Sequence, residues 1–383
     1  MSTIQANAIL DASGGNTTTI NGVTPTAYNT MGKNLIINGA MQIWQRGTSA
    51  SGVTSSTYVA DRWKNFNNIG TTDVSQSTDT PSGEGFGYSH KVTCASTGTP
   101  TGGGECYISQ VIEAQNLQQL GYGTSGAKQI TISFWVKSNL TGSSSVWLYQ
   151  YDGARDIAKS FTINSANTWE KKTLTFDGDV SGTINNDNGA GLDVRFYLSA
   201  GPDITGTLTG TWDGTFSERF PTGGINFNSS TSNNLYITGV QLEVGEAATS
   251  FEHRPYGLEL QLCQRYYEKS YNIGTVPGTS TTTGIAGYIV MANSTTSLAN
   301  NGTNAVVFKV YKRTTPTITT YDSVGNSGKL SYAPAGIARQ DNITAVAHRQ
   351  AEGGFGVYTT SASSLTAGQA VEQFHQWTAN AEL

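Results

Sequence analysis

The chain of 383 residues carries 22 basic and 27 acidic side chains, a formal net charge of −5, with charged residues only 13% of the total. No basic cluster appears, which argues against nucleic acid as a partner. No run approaches the roughly 20 apolar residues of a membrane helix, and MSTIQANAIL lacks the basic and apolar regions of a signal peptide, so neither membrane insertion nor export is expected. Gly numbers 45 and Tyr 18, which suits many short strands joined by Gly and Asn turns, with aromatics in the cores.

Residues 1–33 come first. Their central stretch, SGGNTTTINGVTPT, is too polar and Gly-rich to bury a core of its own. Ile4, Ile9, Leu10 and Ile20 are the candidates for docking this arm on another protein by strand addition; a loose leader is the alternative. Next stands NLIINGAMQIWQRG, where two alternating runs meeting at Asn38-Gly39 predict a hairpin. In YVADRWKNF, Ala60, Arg62 and Lys64 alternate with Val59, Asp61 and Trp63. Asp61 beside Arg46 or Arg62 is expected to form a partly buried ion pair near Trp44 and Trp63, a structural rather than a catalytic group.

From Asn34 to Arg254 the pattern has period two throughout. TISFWVKS sets Ile130, Ile132, Phe134 and Val136 on one face. LDVRFYLS sets Leu192, Val194, Phe196 and Leu198 inward against Asp193, Arg195 and Tyr197, and Val240, Leu242 and Val244 repeat the pattern. EAQNLQQLGYG reads as a short helix or turn. The fold class is all-β, an antiparallel jelly-roll sandwich over 34–254. After Pro255, Leu258, Leu262 and Tyr266 with Cys263 and Tyr267 predict one face of a linking helix over 255–272. Alternation returns in AVVFKVYK, TPTITTYD, GGFGVYTT and EQFHQWTA, a smaller C-terminal β domain over 273–383.

Cys94, Cys106 and Cys263 form no C-x-x-C pair; free thiols are expected, with a Cys94–Cys106 bridge across a hairpin as the alternative. GYGTSG at 121–126 matches a dinucleotide fingerprint, but a strand follows it where a helix is needed. His90, His253, His348 and His375 lack metal-ligand spacing, and no G-x-S-x-G elbow occurs. Carboxylates converging from distant strands remain open to a glycosidase, yet the long repetitive groove of a depolymerase has no counterpart; no enzyme is expected. In VWLYQYDG, Trp147, Tyr149 and Tyr151 share one strand face, and Trp212 sits in the polar loop GTWDGTF. These four are the glycan-contact candidates, flat rings for sugar C–H faces; filling a core or an interface is the alternative.

NLIINGAMQIWQRG with STYVADRW, then ISFWVKS, ITGVQLEVGEAATSFEHRPYGLELQLCQRYYEKSY and the ending QWTANAEL resemble a family of tailed-bacteriophage virion proteins, tail fibre or structural. The likeness runs from about residue 34 to 383. It implies a jelly roll related to carbohydrate-binding modules, followed by a small β domain. It further implies a virion surface protein, most simply a tail-fibre or appendage subunit, held by its N-terminal arm to other virion proteins of tail or capsid. Such a subunit forms homotrimers, is assembled in the host bacterial cytoplasm, and contacts host surface polysaccharide. A capsid-decorating cement or head-fibre protein and a polysaccharide depolymerase are the alternatives. Two departures stand out. Related modules hold structural calcium through acids before the late strand, where this chain has Thr238 and Gly239; no cofactor is expected there, and Asp61 and Asp193 are the remaining loop candidates for calcium. Ala40-Met41 replaces an acidic-aromatic pair.

Overall fold

The computed structural model describes residues 32–216, 218–293, 305–359 and 365–383. The arm residues Ile4, Ile9, Leu10 and Ile20 lie outside these. Gly32 and Lys33, counted with the arm in the sequence, are tied to the sandwich: the Gly32 amide donates to Glu252 Oε1 (2.7 Å) and Lys33 Nζ to the Ser250 carbonyl (2.7 Å).

The first strands are β1 (Ser49–Val53), β2 (Thr57–Tyr58), β3 (Lys64–Asn67), β4 (Thr71–Ser77), β5 (Ser89–Ser96) and β6 (Glu105–Glu113). After a 3₁₀ turn, Ala114–Leu120, come β7 (Ile130–Ser138), β8 (Gly142–Gln150), β9 (Arg155–Ile163), β10 (Glu170–Phe176) and β11 (Ala190–Ala200). Two short strands, β12 (Thr205–Gly206) and β13 (Phe220–Pro221), precede β14 (Asn234–Val244). Sheet I has the order β1-β4-β5-β14-β7-β10 and sheet II the order β2-β3-β6-β11-β8-β9. Successive strands repeatedly cross between the sheets and every neighbour within them is antiparallel, which makes a jelly-roll sandwich.

The period-two strands bury the faces their patterns name. Ile130, Ile132, Phe134 and Val136 from sheet I meet Leu192, Val194, Phe196 and Leu198 from sheet II, all buried in one core. In β14 the inward phase changes from Leu235 and Ile237 to Val240 and Leu242. A bulge at Gly239 (φ +62°) makes the switch; a Cβ there would stand 2.6 Å from the Phe86 ring. Cys94 and Cys106 are free buried thiols on strands of opposite sheets, so the hairpin bridge does not form.

Three local expectations need correction. The Asn38-Gly39 hairpin is absent: 34–47 has no strand, and Asn38 adopts φ +58° with a buried side chain. Its Oδ1 accepts from the amides of Gln42 (2.8 Å) and Ile43 (3.0 Å), and its Nδ2 donates to the carbonyls of Ile43 (2.9 Å) and Asp61 (3.0 Å). Gly39 is pressed on β14, where a Cβ would come 2.1 Å from the Val240 carbonyl oxygen. The alternation of YVADRWKNF also fails, because the chain turns at 59–63 and Arg62 takes φ +71°. Val59, Asp61, Arg62 and Trp63 are then all buried. The helix α1 spans only Tyr256–Gln264 and buries Glu259, Cys263 and Gln264, while Leu258 is 47% exposed. Glu259 Oε1 receives the Asn38 amide, so a polar contact, not a leucine stripe, seats the helix. Tyr266 follows α1, and Tyr267 starts β15 (Tyr267–Lys269).

The remaining strands are β16 (Ala286–Met291), β17 (Ala305–Val307), β18 (Thr317–Tyr321), β19 (Lys329–Pro334) and β20 (Gln340–Thr344). Then come β21 (Val346–Ala351), β22 (Gly354–Tyr358) and β23 (Ala370–Asn380). β23 is the spine: its first half pairs β16 and β19, its second half β15 and β18. AVVFKVYK supplies a strand only at Ala305–Val307; beyond it Lys312 turns inward, where its ammonium meets Glu268 (2.6 Å) with both side chains fully buried. Leu330, Tyr332, Val357, Val371 and Trp377 form a second core.

The two cores are locked through the chain's end. The Glu382 carboxylate takes Arg46 Nη2 (3.0 Å) on one oxygen and Arg62 Nη1 on the other, and the Tyr58 hydroxyl donates to the Leu383 carbonyl (2.6 Å). Arg46 lies 3.7 Å over the Tyr267 ring and Arg62 3.5 Å over Tyr266. Asp61, at 3.4 Å from Arg46, also accepts from the Gln45 amide (3.1 Å). Gln45 Nε2 bonds the Tyr267 carbonyl (2.8 Å), and Lys269 Nζ donates to the Gln45 carbonyl (2.6 Å).

Glu382→Ala leaves Arg62 buried without its carboxylate and is expected to cost about 3 kcal/mol in denaturant unfolding. Burial pushes the Asp61 carboxyl up to about 6 against the pull of Arg46 and Gln45. Because its folded value lies above the unfolded one, its stabilisation is full at low pH and is lost as pH rises through 6. Between pH 7 and pH 5, wild type should gain about 1 kcal/mol of unfolding free energy relative to Asp61→Asn, measured at both pH values.

Candidate functional site: an aromatic face on sheet II

Alternate residues of a strand share a face, so the register of sheet II decides what its outer surface presents. Asp193 and Arg195 on β11 stand beside Tyr149 and Trp147 on β8. On the other side Arg195 pairs Ser109 and Tyr197 pairs Tyr107, and beyond these lie Lys64 and Phe66 of β3. The result is a ribbon of rings across the sheet. Phe66 stacks on Tyr107 (5.1 Å, 22°), Tyr107 meets Tyr197 (5.6 Å), and Trp147 stacks on Tyr149 (5.3 Å, 4°), which meets Tyr151 edge-on (4.9 Å, 65°).

Arg195 is wedged into this ribbon, its guanidinium 4.4 Å from the Tyr107 ring and 4.7 Å from Trp147. Its Nε donates to Asp193 Oδ2 (2.8 Å). Burial opposes the Arg195 charge most, but the Asp193 carboxylate, together with Tyr197 and Tyr107, outweighs it and holds the guanidinium above the usual arginine range. Asp193 Oδ1 is buried and has no hydrogen-bond partner among the described residues. Burial, then the Asp193 charge, push the Tyr151 hydroxyl up to about 12, so it stays protonated at neutral pH. Flat rings with hydroxyl and guanidinium donors are the chemistry that holds a polyhydroxylated ring.

The four sequence candidates divide. Tyr151 is 39% exposed and Tyr149 half-buried, and they lie together. Trp147 is only 2% exposed, between Tyr149, Arg195 and Arg219, with its Nε1 bonded to Asp156 Oδ2 (2.6 Å). It supports the face and does not present one. Trp212 is turned edge-on to Tyr122 (5.6 Å), and its Nε1 donates to the Asp177 carbonyl (2.6 Å). The loop carrying it instead brings Phe216 against Tyr149 (5.5 Å) and Phe220 near Tyr197 (6.3 Å), covering part of the ribbon. Lys64, Phe66 and Tyr107 escaped sequence reasoning, since only strand pairing sets them beside β11. Asp193 and Arg195 carried a signal, the outward phase of LDVRFYLS.

A cavity of about 420 Å³ opens elsewhere, between the 32–37 segment, β6 and α1, lined by Leu35, Arg62, Gln110, Arg254 and Tyr266 among others. Its polar groups are largely spent on the fold: Gln110 exchanges two bonds of 2.8 Å with the Ile37 backbone, and Arg254 donates to the carbonyls of Ile36 (3.0 Å) and Asn34. The ring ribbon is therefore the better candidate, although it is no cavity. At the late-strand calcium position, the Thr238 hydroxyl donates to the Tyr88 carbonyl (2.8 Å). The two remaining calcium candidates are engaged as well, Asp61 by Gln45 and Arg46 and Asp193 by Arg195. Among the described residues no group of three or more His, Cys, Asp or Glu side chains is placed to hold a metal ion.

No protein-family model matches this chain, and no curated protein does. Solved structures do. The enzymatically active domain of tailspike protein 4 of bacteriophage CBA120 is 14% identical over 55% of this chain and 21% of that one, with a TM-score of 0.30. The chain thus spans about a fifth of the tailspike chain's length. A candidate sugar-binding protein of Bacteroides thetaiotaomicron is 13% identical over 56% of this chain and all of that one (100%), with a TM-score of 0.34. The family 11 carbohydrate-binding module of Clostridium thermocellum, solved with a β-1,3-1,4-mixed-linked tetrasaccharide, is 13% identical over 54% and 99%, with a TM-score of 0.27. The fold assignment rests on the strand order and the two packed sheets, not on these likenesses.

Trp147→Ala should cost about 3–5 kcal/mol of stability, as for a buried aromatic, whereas Tyr151→Ala should cost under about 1 kcal/mol. Equal losses in thermal or denaturant unfolding would contradict this division between support and surface.

Proposed function

We propose that this chain is a surface protein of a tailed-bacteriophage virion, a tail-fibre or appendage subunit that contacts host surface polysaccharide through the Tyr149–Tyr151 face. The virion reading is supported by the blocks NLIINGAMQIWQRG, ITGVQLEVGEAATSFEHRPY and QWTANAEL. One observation carries the glycan reading: Tyr149 and Tyr151 stand partly open beside the Arg195 guanidinium, which Asp193 fixes. No bond-breaking is proposed. The acids around the face are held in ion pairs, Asp193 with Arg195 (2.8 Å) and Glu105 with Arg219 (2.5 Å), which suits scaffolding better than proton transfer. Residues 1–31 fasten the subunit to other virion proteins, and a homotrimer presents the face in several copies, which turns weak contacts into attachment.

Purified protein is tested for adsorption to host cells and on a glycan array. Tyr151→Ala and Tyr149→Ala should lower binding about tenfold or more while circular dichroism is unchanged. Undiminished adsorption by both variants would overturn the assignment of the face. Tight binding to empty heads with none to host surfaces would favour capsid decoration. Deletion of residues 1–31 should abolish incorporation into particles, and a truncated chain that still assembles would remove the anchoring role.

A further inference from the structure

Sheet I has an outward face of its own. One row of side chains crosses four neighbouring strands in register, Ser75 on β4, Lys91 on β5, Tyr236 on β14 and Lys137 on β7, and Trp169, directly before β10, continues it. At strand spacing the row is about 19 Å long. Lys91, Tyr236, Lys137 and Trp169 are all half-buried, flat against the sheet yet reachable. The Tyr236 and Trp169 rings lie 6.2 Å apart at 66°. Lys137 Nζ is 5.1 Å from the Tyr236 centroid and 5.9 Å from Trp169, and Lys91 Nζ is 5.4 Å from Tyr236. Lys171, exposed on β10, extends the set toward Trp135.

Three lysines on one face are unusual in a chain of net charge −5 with so few charges. Asp79 neutralises one of them: it pairs Lys137 and accepts Trp169 Nε1 (2.9 Å), which also fixes the indole. Lys91 and Lys171 have no carboxylate within ion-pair distance among the described residues. Both central lysines stand on interior strands, so guarding an exposed sheet edge does not explain them.

We infer that the outer face of sheet I is a second binding site, for an acidic polysaccharide. Sugar C–H faces lie on Tyr236 and Trp169, and the carboxylates of the polysaccharide sit on Lys91 and Lys171. The site is separate from the Tyr149 face, and each stands or falls alone.

The test is affinity electrophoresis of the full chain through gels containing sodium polygalacturonate, neutral dextran or inorganic polyphosphate. Polygalacturonate should retard wild type and dextran should not, and retardation should weaken at about 0.3 M salt. Lys91→Gln/Lys171→Gln, a surface change that spares the core, and Tyr236→Ala should each raise the apparent dissociation constant about tenfold, while Tyr151→Ala should not. No retardation by polygalacturonate, equal retardation by dextran, or retardation by both polyanions that Tyr236→Ala leaves intact would overturn the proposal.

Discussion

The carboxylate of Glu382, next to last in the chain, sits between the guanidinium groups of Arg46 and Arg62. Both arginines belong to the first third of the chain, and Arg62 is essentially without solvent contact. A charge so placed must be met or it costs several kcal/mol. The segments around Arg46, Arg62 and Glu382 are therefore obliged to meet. Arg46 and Arg62 also cover the rings of Tyr267 and Tyr266, which connect the short helix to the C-terminal sheet. Removing any one member strands the others, so the two cores behave as coupled parts.

The same economy shapes the ring ribbon of sheet II. Arg195 serves at once as cation for two rings and as partner for Asp193 and Glu105. These contacts hold Trp147 in place, and the rigidity passes to Tyr149, which is stacked on it. A ligand face built this way loses little freedom on binding, because its rings are fixed beforehand. Its open part is small, since Phe216 and Phe220 lie over the rest.

Much of the sandwich was legible in its strands because both sides of the argument are local. A residue such as Phe134 or Val194 needs only its neighbours in sequence to show its face. Where the chain leaves regular structure, local rules failed. The Asn38-Gly39 signal is a genuine turn, but the buried Asn38 side chain spends its bonds on Gln42, Ile43 and Asp61 and builds an irregular plug. In α1 the apolar spacing pointed to Leu258, while the buried acid Glu259 chose the seat. Trp147 was placed on the correct face, yet its burial by Arg195 and Arg219 depends on residues 48 and 72 positions away.

By itself the sequence determined the β class, the inward residues of the long strands and the polar nature of the start, which follow from periodicity and composition, and the pairing of Asp61 with Arg46, which follows from closeness in sequence. Tertiary structure alone decided which rings share a surface, which carboxylate answers which arginine, and that Glu382 closes the molecule. The reason is physical: burial and charge pairing are settled between residues far apart in the chain, where spacing carries no information.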